Sequence, residues 1–80
     1  MKISSAVAIR VSNILRERNK SFYRLEKDTD IPHNTMKTLM RETNKSVNLR
    51  TVMQIAKGLN MTLSEFFNDP IFESEELEIY

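Results

Sequence analysis

The stretch Ser21–Arg41, SFYRLEKDTDIPHNTMKTLMR, decides how this chain folds. It divides into two short helical segments around a polar turn. Ser21 carries a hydroxyl able to accept from the free amides of a helix over about residues 22–29. Asp30 falls at the turn, where a left-handed backbone is expected and where Asp is tolerated better than most residues. Pro32 suits the first turn of a third helix, because its missing N–H leaves no bond unmade there; that helix is expected to run to about Glu42. Leu25, Ile31, Met36 and Leu39 recur at spacings that let two crossing helices bury one apolar seam. The same spacing turns His33, Asn34, Lys37, Thr38 and Arg41 outward. A buttressed helix showing hydrogen-bonding groups of mixed type, with cations toward its end, is suited to the base edges of a DNA major groove.

Working outward, Ser4 or Ser5 is the expected cap of a first helix that runs to about Asn19, with Val7, Val11, Ile14 and Leu15 on one stripe and Ile9 off it. Thr43 to Val47 form a polar connector. Asn48 caps a fourth helix over about residues 49–59, with Leu49, Val52, Met53, Ile55, Ala56 and Leu59 as its expected buried face and Asn60 as its stop. Thr62-Leu63-Ser64-Glu65 has the form of a capping box. It opens a short fifth helix with Leu63, Phe66 and Phe67 inward, ended by Asp69-Pro70. The expected fold class is all-α, a compact five-helix domain over residues 1–68 followed by a short acidic tail, residues 69–80.

Composition agrees with this outline. Eighty residues, 40% of them hydrophobic and 29% charged, make one soluble domain with a small, mostly local core. With no cysteine, disulfides, thiolate metal sites and cysteine nucleophiles are excluded. No apolar run approaches the ~20 residues of a membrane span. The charged, amphipathic N-terminus does not read as a secretory signal, so a cytoplasmic protein is expected. The net charge of +1 conceals an asymmetry. Residues 1–68 hold all twelve Lys and Arg against six acids, +6; residues 69–80 hold five acids and no base, −5. The first part suits a polyanion and the tail would be repelled by one.

His33 is the lone histidine. It lacks partners at ligand or general-base spacing, so no catalytic residue, metal site or cofactor is expected. No Gly-rich phosphate loop or nucleophile–base set occurs either. Met36, Met40, Met53 and Met61 are read as core filling rather than a promiscuous groove. Arg10, Arg16, Arg18 and Lys20 form a basic run whose simplest reading is a solvated helix face.

Two pieces together resemble the XRE-type helix-turn-helix regulators, the phage-repressor or Cro type. One is Leu25…Ile31-Pro32-His33-Asn34-Thr35-Met36…Leu39. The other is Asn48-Leu49-Arg50-Thr51-Val52…Ile55-Ala56-Lys57…Leu59-Asn60-Met61-Thr62-Leu63-Ser64-Glu65-Phe66-Phe67. The resemblance spans about Val7 to Phe67. It implies a lambda-repressor-like fold with the third helix in the major groove of double-stranded DNA, and a homodimer, most often a repressor of transcription, on an inverted-repeat operator. Position by position it puts base reading on His33, Asn34, Lys37 and Thr38, with Asn34 suited to adenine. Phosphate contacts fall to Ser21, Arg24, Thr35, Arg41, Asn44, Lys45, Asn48 and Arg50. Phe22 departs from the pattern, standing where relatives often carry a phosphate-clamping Gln. Glu26 replaces a small residue at the crossing of helices two and three, where its carboxylate needs partners; the first amides of helix three are the expected donors. Leu15 and Met40 stand where some relatives hold an ion pair.

The tail, IFESEELEIY, is rich in apolar groups for a flexible end. Ile71 and Phe72 covering the core is the simplest reading. A dimer interface built with LEIY, or carboxylates competing with DNA for the basic face, are the others. The rival to DNA binding is an antitoxin-like or adaptor module that holds a protein partner through residues 69–80.

Overall fold

In the computed structural model, residues 1–41 and 47–78 are described. Among them run five α-helices: α1 (Ile3–Glu17), α2 (Phe22–Thr29), α3 (His33–Leu39), α4 (Leu49–Gly58) and α5 (Leu63–Phe67), followed by one 3-10 turn, Pro70–Glu73. No strand occurs among the described residues; an isolated parallel bridge joins Lys2 to Glu78. The all-α, five-helix expectation therefore holds.

The boundaries follow short-range chemistry. The Ser21 hydroxyl accepts from the Arg24 amide at 3.1 Å, and the Asn48 carboxamide oxygen accepts from the Arg50 amide at 2.8 Å. Asn19, Asp30 and Asn60 take the left-handed conformation, φ 57–58°, that stops α1, α2 and α4. At α5 the capping box is complete: the Glu65 amide donates to the Thr62 hydroxyl at 3.1 Å and the Thr62 amide to the Glu65 carboxylate at 2.9 Å.

Four ends differ from the sequence reading. Neither Ser4 nor Ser5 caps α1, which begins at Ile3 behind an uncapped Lys2 and stops at Glu17. Ser4 is buried within it. The chain start is held instead by the tail, with the Met1 ammonium donating to the Glu76 carbonyl and the Glu78 amide to the Met1 carbonyl. Pro32 is the N-cap of α3 rather than its first residue. That helix stops at Leu39, short of Glu42, because the Arg41 amide bonds the Thr38 carbonyl in a tight turn while Met40 packs against the core.

One apolar cluster holds the helices together. It joins Val7, Val11, Ile14 and Leu15 of α1, Leu25, Ile31, Met36 and Leu39 of the α2–α3 pair, Val52, Ile55, Ala56 and Leu59 of α4, and Phe66 of α5. Burying each of these side chains other than Ala56 stabilises the fold by about 1.5–3 kcal/mol before entropy is charged against it. Ile9 is exposed, as its place off the stripe requires. Leu49 and Met53 are not buried; they are 59% and 53% exposed. The centre of the buried face of α4 is the Val52–Ile55–Ala56–Leu59 arc, and these two lie roughly 70–110° around the helix from it. Phe67 is likewise 36% exposed. It packs edge-on against Phe66 and Phe72, ring centroids 5.3 and 4.9 Å apart, so the aromatic tail residue closes the α5 end of the core.

The α2–α3 corner is braced from behind. The Thr29 hydroxyl donates to the Leu25 carbonyl at 2.8 Å and accepts from the Ile31 amide at 3.3 Å. Gly58, the only glycine, brings the last turn of α4 against Thr29 so closely that a β-carbon there would overlap the Thr29 methyl. The absent side chain lets α4 clamp the corner that aims α3.

The basic run is only in part a solvated face: Arg16, Arg18 and Lys20 are exposed, yet three of its four cations are engaged internally. Arg10 donates to the Phe66 and Glu65 carbonyls at 2.8 and 3.1 Å and pairs with Asp69 at 3.2 Å. Arg18 donates to the Leu59 carbonyl, and Lys20 pairs with Asp28 at 3.6 Å. These cations tie α1 to the ends of α2, α4 and α5.

Candidate nucleic-acid interface

Helix α3 stands on Met36 and Leu39, 2% and 3% exposed, and so has one anchored face and one free face. On the free side His33, Asn34, Thr35, Lys37 and Thr38 are all exposed, and Arg41 is exposed just past the helix end. Arg41 thus lies beyond α3 rather than on its last turn.

A cleft of about 370 Å³ separates α3 from the start of α4, lined by Asn34, Thr35, Thr38, Val47, Asn48 and Thr51 among others. It brings three of the residues singled out on α3 onto the same surface as Asn48. Arg50 is exposed in the first turn of α4. Asn44 and Lys45 lie outside the described residues.

Internal hydrogen bonds limit what each group can offer. The Thr38 hydroxyl donates to the Asn34 carbonyl at 2.9 Å, so it presents lone pairs and a methyl group outward. Asn48 uses its carbonyl oxygen as a cap and keeps its amide donors. The Ser21 oxygen caps α2. Arg24 is 67% exposed and pairs with Asp28 through Nε at 3.3 Å, while Lys20 holds the same carboxylate. Lys37, Arg41 and Arg50 have no ion pair among the described residues, which leaves their charge available to a polyanion.

The Glu26 partner differs from the one expected. Its carboxylate meets His33 Nδ1 at 2.6 Å, rather than the first amides of α3. The Glu26 side chain is 15% exposed and that of His33 76%. Seven residues and a left-handed turn separate the two, so no local pattern announced the pair. Lys20 and Asp28 likewise meet across eight residues, from opposite ends of α2.

The described tail residues bond α1, the chain start and the core. Asp69 is the one tail acid in an ion pair among the described residues, and its partner is Arg10. Residues 76–78 bond the chain start, and Phe72 packs on the core.

Two short helices meeting at a braced left-handed turn, the second anchored on one side and polar on the other, define a helix-turn-helix DNA-binding domain. The family model for the Cro/C1-type HTH DNA-binding domain matches residues 10–70, and the chain belongs to that family. Comparisons with curated proteins and with solved structures gave no match. No helix among the described residues is long and apolar enough to cross a membrane.

Proposed function

We propose that this domain recognises an inverted-repeat operator in double-stranded DNA as a homodimer and represses transcription by occluding a promoter. Helix α3 enters the major groove. His33, Asn34, Lys37 and Thr38 meet base edges, with Asn34 bidentate on adenine and Lys37 on guanine O6/N7 or a phosphate. Ser21, Arg24, Thr35, Arg41, Asn44, Lys45, Asn48 and Arg50 hold the backbone on either side. The observation that carries this reading is the exposed polar face of α3, anchored from beneath and continuous with the start of α4 through one cleft.

Pairing follows from the small size of one reading surface. A single module of this kind covers about 600–1,000 Å² and binds modestly, whereas two on half-sites a helical turn apart bind far more tightly. The exposed Leu49 and Met53 supply apolar area that a second copy would cover.

Selection from a random duplex pool, with the oligomeric state measured on the same sample, tests the proposal. A two-fold symmetric consensus bound by a dimer is the expected result. Binding that shows no sequence preference would contradict it.

A further inference from the structure

The His33–Glu26 pair has a chemical consequence for recognition, which rests on the base-reading role proposed for α3. An ionised carboxylate only accepts hydrogen bonds. With Glu26 Oε1 at 2.6 Å from Nδ1, that nitrogen must carry the proton. In the neutral imidazole the other nitrogen, Nε2, then has a lone pair and no hydrogen. The ring is three-quarters exposed and stands at the first residue of α3, the end of a recognition helix that meets base edges. Glu26, by contrast, lies on α2, mostly buried beneath it.

We infer that Glu26 is a positioning residue that sets which base His33 prefers. By holding the proton on Nδ1 it presents Nε2 to the groove as an acceptor. In the major groove the amino groups that can donate to it belong to adenine N6 and cytosine N4; guanine and thymine present only acceptors at their polar edge atoms. Without the carboxylate the ring can carry its proton on either nitrogen, and the same histidine would donate as readily as it accepts. A pair that served stability alone would leave base preference untouched.

The test is selection from a random duplex pool at about pH 8 with the wild type, His33→Ala, Glu26→Gln and Glu26→Ala. His33→Ala identifies the operator position that His33 faces. There the wild type should favour A or C by about five- to tenfold, at the low end of what a full bidentate pair provides. Both Glu26 variants should flatten that one position to under about twofold and leave the other positions unchanged. Imidazole ¹⁵N shifts of the free wild type should show Nδ1 protonated and Nε2 bare, and Glu26→Gln should show a mixture, because a carboxamide can accept or donate. Thermal melts report whether each variant folds. If the Glu26 variants keep the wild-type preference, or the wild-type ring carries its proton on Nε2, the inference is overturned while operator recognition stands. If the wild type selects no consensus, or His33→Ala changes no position, the inference falls with the reading beneath it.

Discussion

Two sets of cations sit on this small domain, and they have opposite fates. Those of the α1 side, Arg10, Arg18 and Lys20, are engaged internally: carbonyls of α4 and α5 and the carboxylates of Asp69 and Asp28 hold them. Those at α3 and the start of α4, Lys37, Arg41 and Arg50, have no such partner among the described residues. In the sequence the first set is the denser and more conspicuous run. A charge cluster therefore does not mark a polyanion surface by itself.

The largest expected effect breaks the first set. Arg10→Ala removes three polar contacts from a side chain that is 12% exposed; Glu65 and Asp69 keep the Asn68 and Ile71 amides, while the Phe66 carbonyl and the Asp69 charge lose their Arg10 partner. A loss of about 2–4 kcal/mol in denaturant unfolding is expected. DNA affinity of the molecules that remain folded should be unchanged. A fall in affinity without a fall in stability would put Arg10 in the binding set.

Arg50→Ala is the mirror case. Stability should stay within about 0.5 kcal/mol. Affinity should fall alike for every DNA sequence, and the slope of log K against log salt should become shallower by about 0.9. An unchanged salt slope would remove Arg50 from the phosphate contacts proposed.

A smaller effect concerns an acid engaged internally. The Thr62 amide first, and the Thr62 hydroxyl second, hold the Glu65 carboxyl below its ordinary value of 4.5, with the charge of Arg18 assisting against desolvation. A carboxyl depressed in the folded state contributes fully above its unfolded pKa, and that contribution is lost as pH falls through the folded one. Glu65→Gln, which keeps the accepting oxygen but cannot titrate, should therefore lose melting temperature less steeply than the wild type between about pH 5 and pH 3. Parallel curves would show that the carboxylate charge adds nothing to the cap.

What the sequence disclosed divides along the same line. Ser21, Asn48 and the Thr62–Glu65 box bond amides two or three residues away, and Asp30 and Asn60 stop helices by their own backbone, so each was readable in place. The apolar seam of Leu25, Ile31, Met36 and Leu39 was readable because helical spacing fixes it. Arg10 meeting Asp69 fifty-nine residues away was not. Neither was the chain start bonding Glu76, nor Glu26 reaching His33 across the turn. Leu49, Met53 and Phe67 were misplaced because α4 and α5 carry apolar residues over a wider arc than the core can cover. On the outward face of α3 the exposure of His33, Asn34, Lys37 and Thr38 was readable from the buried seam alone, since one face of a short helix determines the other. Their partners in DNA are not encoded in either.

The central claim is that the free face of α3 reads sequence while the cations around it supply affinity. Its most direct test compares affinity for the selected operator and for a scrambled duplex in the wild type, Asn34→Ala and Lys37→Ala, with Arg50→Ala as the control. Asn34→Ala and Lys37→Ala should each narrow the operator-to-scrambled gap by about 1–3 kcal/mol, whereas Arg50→Ala should lower both affinities and preserve the gap. An operator-to-scrambled gap left intact by both α3 substitutions would contradict the account.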